Sequence, residues 1–183
     1  MRIPVEASRC TRLIVTRPVV LLTTLHANGI LNAGAFGAYT NVSPTDIALA
    51  IWRGSHTYRN IVRSGEFVIN VPPAGLAPKM GVFASDLPDT QSEVEEADCT
   101  ACESAHVSVP GIAECVASVE CKFLKEMDVG AHSLVVGRAL GGSVEESCFT
   151  AEGRLDVVEA RIFHSVAYPE PVYAEFGRVF RAE

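Results

Sequence analysis

The chain of 183 residues is long enough for one domain with a full core, and its 48% hydrophobic and 20% charged residues exclude a disordered protein. A formal net charge of −7 argues against nucleic acid as a partner, which needs a basic face, although a local basic patch can still hold one small phosphate. The longest apolar runs, residues 19–22 and 47–52, are strand-sized and too short to cross a bilayer as helices.

The opening stretch has no long apolar run after its charge, so no secretory signal is read. A soluble cytoplasmic protein without membrane contact is expected, with its six cysteines reduced. Residues 1–17 read as an edge strand or late-packing arm. Residues 17–25 are apolar, β-branched and threonine-rich, which predicts a strand. Asn28-Gly29 then predicts a tight hairpin turn with both residues at positive φ. The next strand starts at Ile30 and becomes small at Ala33, Gly34, Ala35, Gly37 and Ala38. Small residues weaken a strand, so this composition marks either a crowded barrel corner or a place where something flat approaches the backbone.

Residues 40–46 predict a loop, and residues 47–52 a strand buried on both faces. A short helix follows, with Ser55 as N-cap, Tyr58, Ile61 and Val62 on one apolar face, and Gly65 closing it. Residues 66–71 predict a strand stopped by Pro72-Pro73. Residues 74–84 suggest an interrupted helix, and the acidic stretch 85–104 a surface excursion. Strands are predicted over 106–109, 114–126 and 131–140, the last two joined by a turn at 128–130, with Gly141-Gly142-Ser143 as a break. The aromatic tail (Phe163, Tyr168, Tyr173, Phe176, Phe180) has the character of a segment laid over a groove or a partner. Many short strands with few helices favour a closed antiparallel barrel in a single domain spanning residues 1–183.

The helix start carries the strongest chemical signal. Free N–H groups and the macrodipole attract anions there. Ser55 and Thr57 add hydroxyls, Arg53 and Arg59 add charge, and His56 and Asn60 reach the same end. It is not a Walker P-loop. Cys99 and Cys102 have the spacing of a redox or zinc pair, with Cys115 and Cys121 as further candidate ligands, but the βαβ context of a thioredoxin-type site is absent.

The runs PVVLLTT (18–24), NAGAFGAYTNVSP (32–44), SHTYRNIVRSGEFVINVP (55–72), GIAECVASVECKF (111–123), GAHSLVVGRA (130–139) and YAEFGRVF (173–180), in this order, resemble the flavin reductase-like family of FMN-binding split-barrel proteins. The resemblance implies a mainly β fold, a six-stranded antiparallel split barrel with short helices. It also implies a homodimer with FMN near the interface. Backbone from Asn32, Ala33, Gly34, Ala35, Phe36 and Gly37 would hold the ring system, and Ser55, His56, Thr57 and Asn60 the phosphate, the same end of the helix to which Arg53 brings its charge. It implies a catalytic place near flavin or nicotinamide for His132. The chain departs from the family pattern at Ala35 and Gly37, where many members have proline and serine, and at Ala131, where many have an acidic residue.

These readings give an FMN-dependent oxidoreductase of the flavin reductase type, with NAD(P)H as donor and a small molecule or a protein as acceptor. The alternative is a non-enzymatic FMN electron carrier resembling the flavoredoxins. A third reading is a metal or disulfide protein built on Cys99 and Cys102.

Overall fold

A computed structural model describes residues 2–167, 169–177 and 179–180; Tyr168 of the aromatic tail lies outside them. The core element is an antiparallel sheet of seven strands, numbered in chain order: β1 (Val20–Leu25), β2 (Leu31–Phe36), β3 (Tyr39–Asn41), β4 (Asp46–Trp52), β5 (Glu66–Val71), β6 (Ala117–Val129) and β7 (His132–Val144). Their order across the sheet is β2-β1-β5-β6-β7-β4-β3. The two edge strands, β2 and β3, are consecutive in the chain, separated only by Gly37 and Ala38. The Ala38 carbonyl already accepts from the Ala50 N–H on the far side, at 2.9 Å. One bent strand therefore supplies both edges, and the sheet curls into a split barrel. The expected count of six is met when β2 and β3 are taken as one strand broken at the bend.

Alternation fills the barrel. Val20, Leu22, Leu49, Ile51, Phe67, Ile69, Cys121 and Val135 point inward and cluster with Ile61 of helix α1 (His56–Ser64). The strand over 46–52 is buried on both faces only at its middle, at Ala48 and Leu49; Leu49 and Ile51 face the core, while Trp52 at its end is 53% exposed. Gly65 closes α1 at φ 74°, and its N–H reaches the Ile61 carbonyl, as its C′ role requires.

Several local readings are corrected. The β1–β2 loop spans three residues, with a His26-to-Gly29 turn and only Gly29 at positive φ (86°), because Asn28 spends its side chain on the Ile30 N–H and the Asp89 carbonyl. Residues 106–109 form bends, not a strand, tied down by the Glu120 and Glu66 carboxylates. Gly141 and Gly142 do not break β7. They lie in the strand beside a bulge, where the His106 ring and the Ser118 backbone leave no room for a Cβ. The excursion 85–104 is folded onto the sheet: the turn Glu93–Glu96 places Val94 and Ala97 in a second cluster with Leu21, Ala33, Met80 and Phe83. The lead-in forms short helical turns before Arg17–Pro18 pairs with Phe163–Ser165, which in turn pairs with Tyr173–Glu175.

Gly137 of β7 sits over the fully buried Phe67, whose ring occupies the space a Cβ would need. Gly137→Ala is expected to lower unfolding stability by about 1–3 kcal/mol, the usual cost of overpacking. Urea denaturation checks this, and an unchanged midpoint would contradict the packing.

Candidate functional site

Helix α1 begins where β4 ends, and its first turn is fastened inward. The Ser55 hydroxyl accepts from the Tyr58 N–H at 3.1 Å and donates to the Trp52 carbonyl at 2.8 Å, so Ser55 is the N-cap that its sequence position suggests. Thr57 and Asn60 face the sheet and are buried. There they join a polar knot. The Asn32 amide donates to Thr24 Oγ1 at 3.0 Å and to Thr57 Oγ1 at 3.1 Å, and the Asn60 amide reaches the same Thr24 oxygen at 3.1 Å. Asn60 also lies 3.3 Å from Nδ1 of buried His26, whose ring meets that of half-buried His56 edge-on at 4.9 Å. Four of the expected residues, Asn32, His56, Thr57 and Asn60, are thus brought together. Arg53 stands apart: its guanidinium pairs with Asp128 and lies over the Tyr58 ring.

The 32–37 stretch runs along the free edge of β2. A Cβ at Gly34 would come within 2.9 Å of the Phe36 ring and 3.2 Å of Thr57 Oγ1, and one at Gly37 within 3.2 Å of the Pro18 carbonyl. Both glycines are accounted for by close approach of the chain itself. Beyond Gly37 an open hollow of about 380 Å³ lies against the bend, lined by Gly37, Ala38, Tyr39, Ala48, Ala50 and Leu134 among others. Ala50 pairs with Leu134, and two residues further along Trp52 pairs with exposed His132. Paired residues share a face, so Trp52 and His132 continue the surface that floors the hollow. The Arg53 N–H bonds the Ala131 carbonyl at 3.0 Å, which holds the helix entry against the start of β7. The geometry therefore places His132 between the hollow and the helix start. Among the described residues no hydrogen bond or ion pair orients its ring.

Comparison with known proteins identifies the family. The family model "Flavin reductase like domain" matches residues 11–158. The protein YwrF of Bacillus subtilis (strain 168) is 31% identical over 151 residues, covering 76% of this chain and 74% of that protein. A ferric-chelate reductase (NAD(P)H) of Archaeoglobus fulgidus is 30% identical over 106 residues, covering 55% of this chain and 59% of that one. The crystal structure of nitrilotriacetate monooxygenase component B from Bacillus cereus superimposes with a TM-score of 0.88 at 25% identity, covering 100% of this chain and 98% of that one. The chain belongs to the flavin reductase-like family.

Three residues at the site are assigned no role from the sequence: Thr24, His26 and Glu93. Thr24 reads as one more β-branched strand residue, and Glu93 as one acid among many in the excursion. Their burial is what marks them, since buried polar groups are costly unless partnered. The Glu93 carboxylate accepts from the Ala33 N–H at 2.9 Å and is 3% exposed. Burial raises its pKa, opposed by that hydrogen bond and by His56. Among the described residues no group of three or more His, Cys, Asp or Glu could hold a metal. Burial, with Glu114 nearby, raises the pKa of Cys99 and Cys102, so neither is an activated thiolate.

Burial, reinforced by the His56 imidazole and by Arg63 and Arg59 against the opposing Asp89, holds His26 below its ordinary value of 6.5. The unfolded chain then binds a proton that the folded chain refuses, so stability is lost as pH falls from 6.5 through the lowered folded value. Melting temperature measured across this window should fall less in His26→Gln than in the wild type. Parallel profiles would show that His26 does not titrate as its surroundings require.

Proposed function

We propose that this member of the flavin reductase-like family is an FMN-dependent oxidoreductase that takes reducing equivalents from NAD(P)H and passes them to a small-molecule or protein acceptor. The observation that carries this reading is the meeting of an alanine-floored hollow, the open edge of β2 and a capped helix N-terminus within one stretch of barrel. The donor set fits the group. A helix start with N–H groups suits a phosphate. The knot holds Asn32 and Asn60 in fixed orientations beside it, and buried His26 Nε2 has no hydrogen-bond partner among the described residues. Ala48 and Ala50 leave the floor low enough for a flat ring system. The name of the Archaeoglobus relative supports NAD(P)H as donor.

When bound, FMN supplies the electron chemistry, accepting hydride and releasing electrons. The chain's own residues bind and orient. Ser55 fixes the first turn of α1, Thr57 and Asn60 tie that turn to the sheet, and Trp52 with His132 bounds the surface on which a second ring can stack. Val129, Met127 and Leu134 extend the same outer face in register with Trp52 and Ala50. We assign this apolar face to a second copy of the chain, as a cytoplasmic homodimer. The electron-carrier reading is favoured by one observation, the His132 ring, which no hydrogen bond or ion pair among the described residues orients.

The double variant Ser55→Ala/Thr57→Ala is expected to bind FMN at least about tenfold more weakly, the loss of one good hydrogen bond to a charged group. Fluorescence titration measures it, and equal affinity would remove the phosphate assignment. Anaerobic mixing of the FMN-loaded protein with NADH or NADPH separates enzyme from carrier: rapid bleaching is expected, and its absence with both donors leaves the carrier.

A further inference from the structure

The hydrogen bonds of the β1–β2 hairpin fix which way each peptide of the cradle faces. The His26 N–H bonds the Ile30 carbonyl at 2.9 Å, and the pairs below it run Leu25 to Leu31, Thr24 to Asn32, Thr23 to Ala33, Leu22 to Gly34 and Leu21 to Ala35, with no register shift. Antiparallel pairs alternate between bonded and non-bonded. Asn32 and Gly34 therefore bond across to β1, while Ala33 and Ala35 turn their N–H and C=O groups off the open edge of the sheet. The Ala33 N–H agrees with this, since its partner is not β1 but the Glu93 carboxylate, at 2.9 Å.

Glu93 comes from the acidic excursion, 60 residues further along the chain. Its turn is fastened by the Glu96 N–H on the Ser92 carbonyl and the Ala97 N–H on the Glu93 carbonyl, each at 2.9 Å, and by Val94 and Ala97 packed on Ala33 and Leu21. A buried carboxylate lowers stability unless it is well partnered. This one accepts from a peptide of the edge strand, one residue before Gly34, where a Cβ would come within 3.2 Å of Thr57 Oγ1.

We propose that Glu93 is a positioning residue of the flavin cradle: by holding the Ala33 peptide it sets where the next outward peptide, that of Ala35, meets the FMN ring system. The inference rests on the proposed FMN site. It makes the excursion 85–104 a working wall of that site rather than a surface ornament.

Three variants of the full chain test it, each examined without and with FMN. Glu93→Gln keeps an acceptor at the same reach, Glu93→Asp keeps the charge but falls short, and Glu93→Ala removes both. Amide hydrogen exchange in the FMN-free protein should show Ala33 protected in the wild type and Glu93→Gln and exposed in Glu93→Asp and Glu93→Ala. FMN titration well below each melting temperature should give affinity within about twofold of wild type for Glu93→Gln and at least about tenfold weaker for Glu93→Asp, one hydrogen bond's worth. If Glu93→Ala does not fold, the Gln and Asp pair still decides. Lost Ala33 protection with unchanged FMN affinity would reduce Glu93 to a structural residue and overturn the proposal. So would the reverse order, with Asp retaining affinity and Gln losing it. A wild type that binds no FMN while Ala33 is protected would instead strike the FMN reading on which the inference stands.

Discussion

The site depends on one buried hydroxyl. Thr24 Oγ1 accepts from the side-chain amides of both Asn32 and Asn60, and so joins β1, β2 and α1 at a single atom. Each of these amides is enclosed, and each would cost about 1–3 kcal/mol if left without its acceptor. The knot thus has few alternatives: a shift of α1 along the sheet, or a slip of β2 in register, strands two or three polar groups at once. Thr57, donated to by Asn32, extends the constraint to the first turn of the helix. A helix of nine residues has little stability of its own, and its place is set by this contact and by the burial of Ile61.

The second constraint is the bend at Gly37 and Ala38. Because one strand supplies both edges of the sheet, the barrel closes there with the chain crowded against Pro18. The small residues seen in the sequence have two separate causes. Gly34 and Gly37 make room for the chain's own neighbours, Thr57 with Phe36 and Pro18 respectively, whereas Ala48 and Ala50 leave the hollow beside the bend. The outward peptides of Ala33 and Ala35 follow from the register of β1 with β2, and the Trp52–His132 pair from that of β4 with β7. Strand pairing thus places the backbone of the site, and the Thr24 hydroxyl fastens the helix to it.

Much of this is legible in the sequence. Strand periodicity marks β1, β4 and β5, Ser55 and Gly65 mark both ends of α1, and the motif order marks the family. What is not legible has physical reasons. The hairpin turn loses its two-residue form because Asn28 is bonded to Asp89, a contact from a distant segment. Glycines in β7 read as a break because nothing local reveals the Phe67 ring, the His106 ring or the Ser118 backbone packed against them. The excursion reads as solvent-facing because its composition is acidic, and only the tertiary contact with Ala33 turns Glu93 inward. The Cys99 and Cys102 spacing suggests chemistry, whereas burial, with Glu114 nearby, pushes both thiol pKa values up.

The central claim is that this barrel holds FMN between the open edge of β2 and the start of α1. The most direct test is the visible absorption spectrum of the freshly purified protein, followed by acid release of the chromophore and, if the protein is colourless, titration with FMN. The account predicts oxidised-flavin bands with FMN released, or saturable FMN binding by the colourless protein. A protein that carries no flavin and takes up none on titration would leave the fold standing and contradict the function.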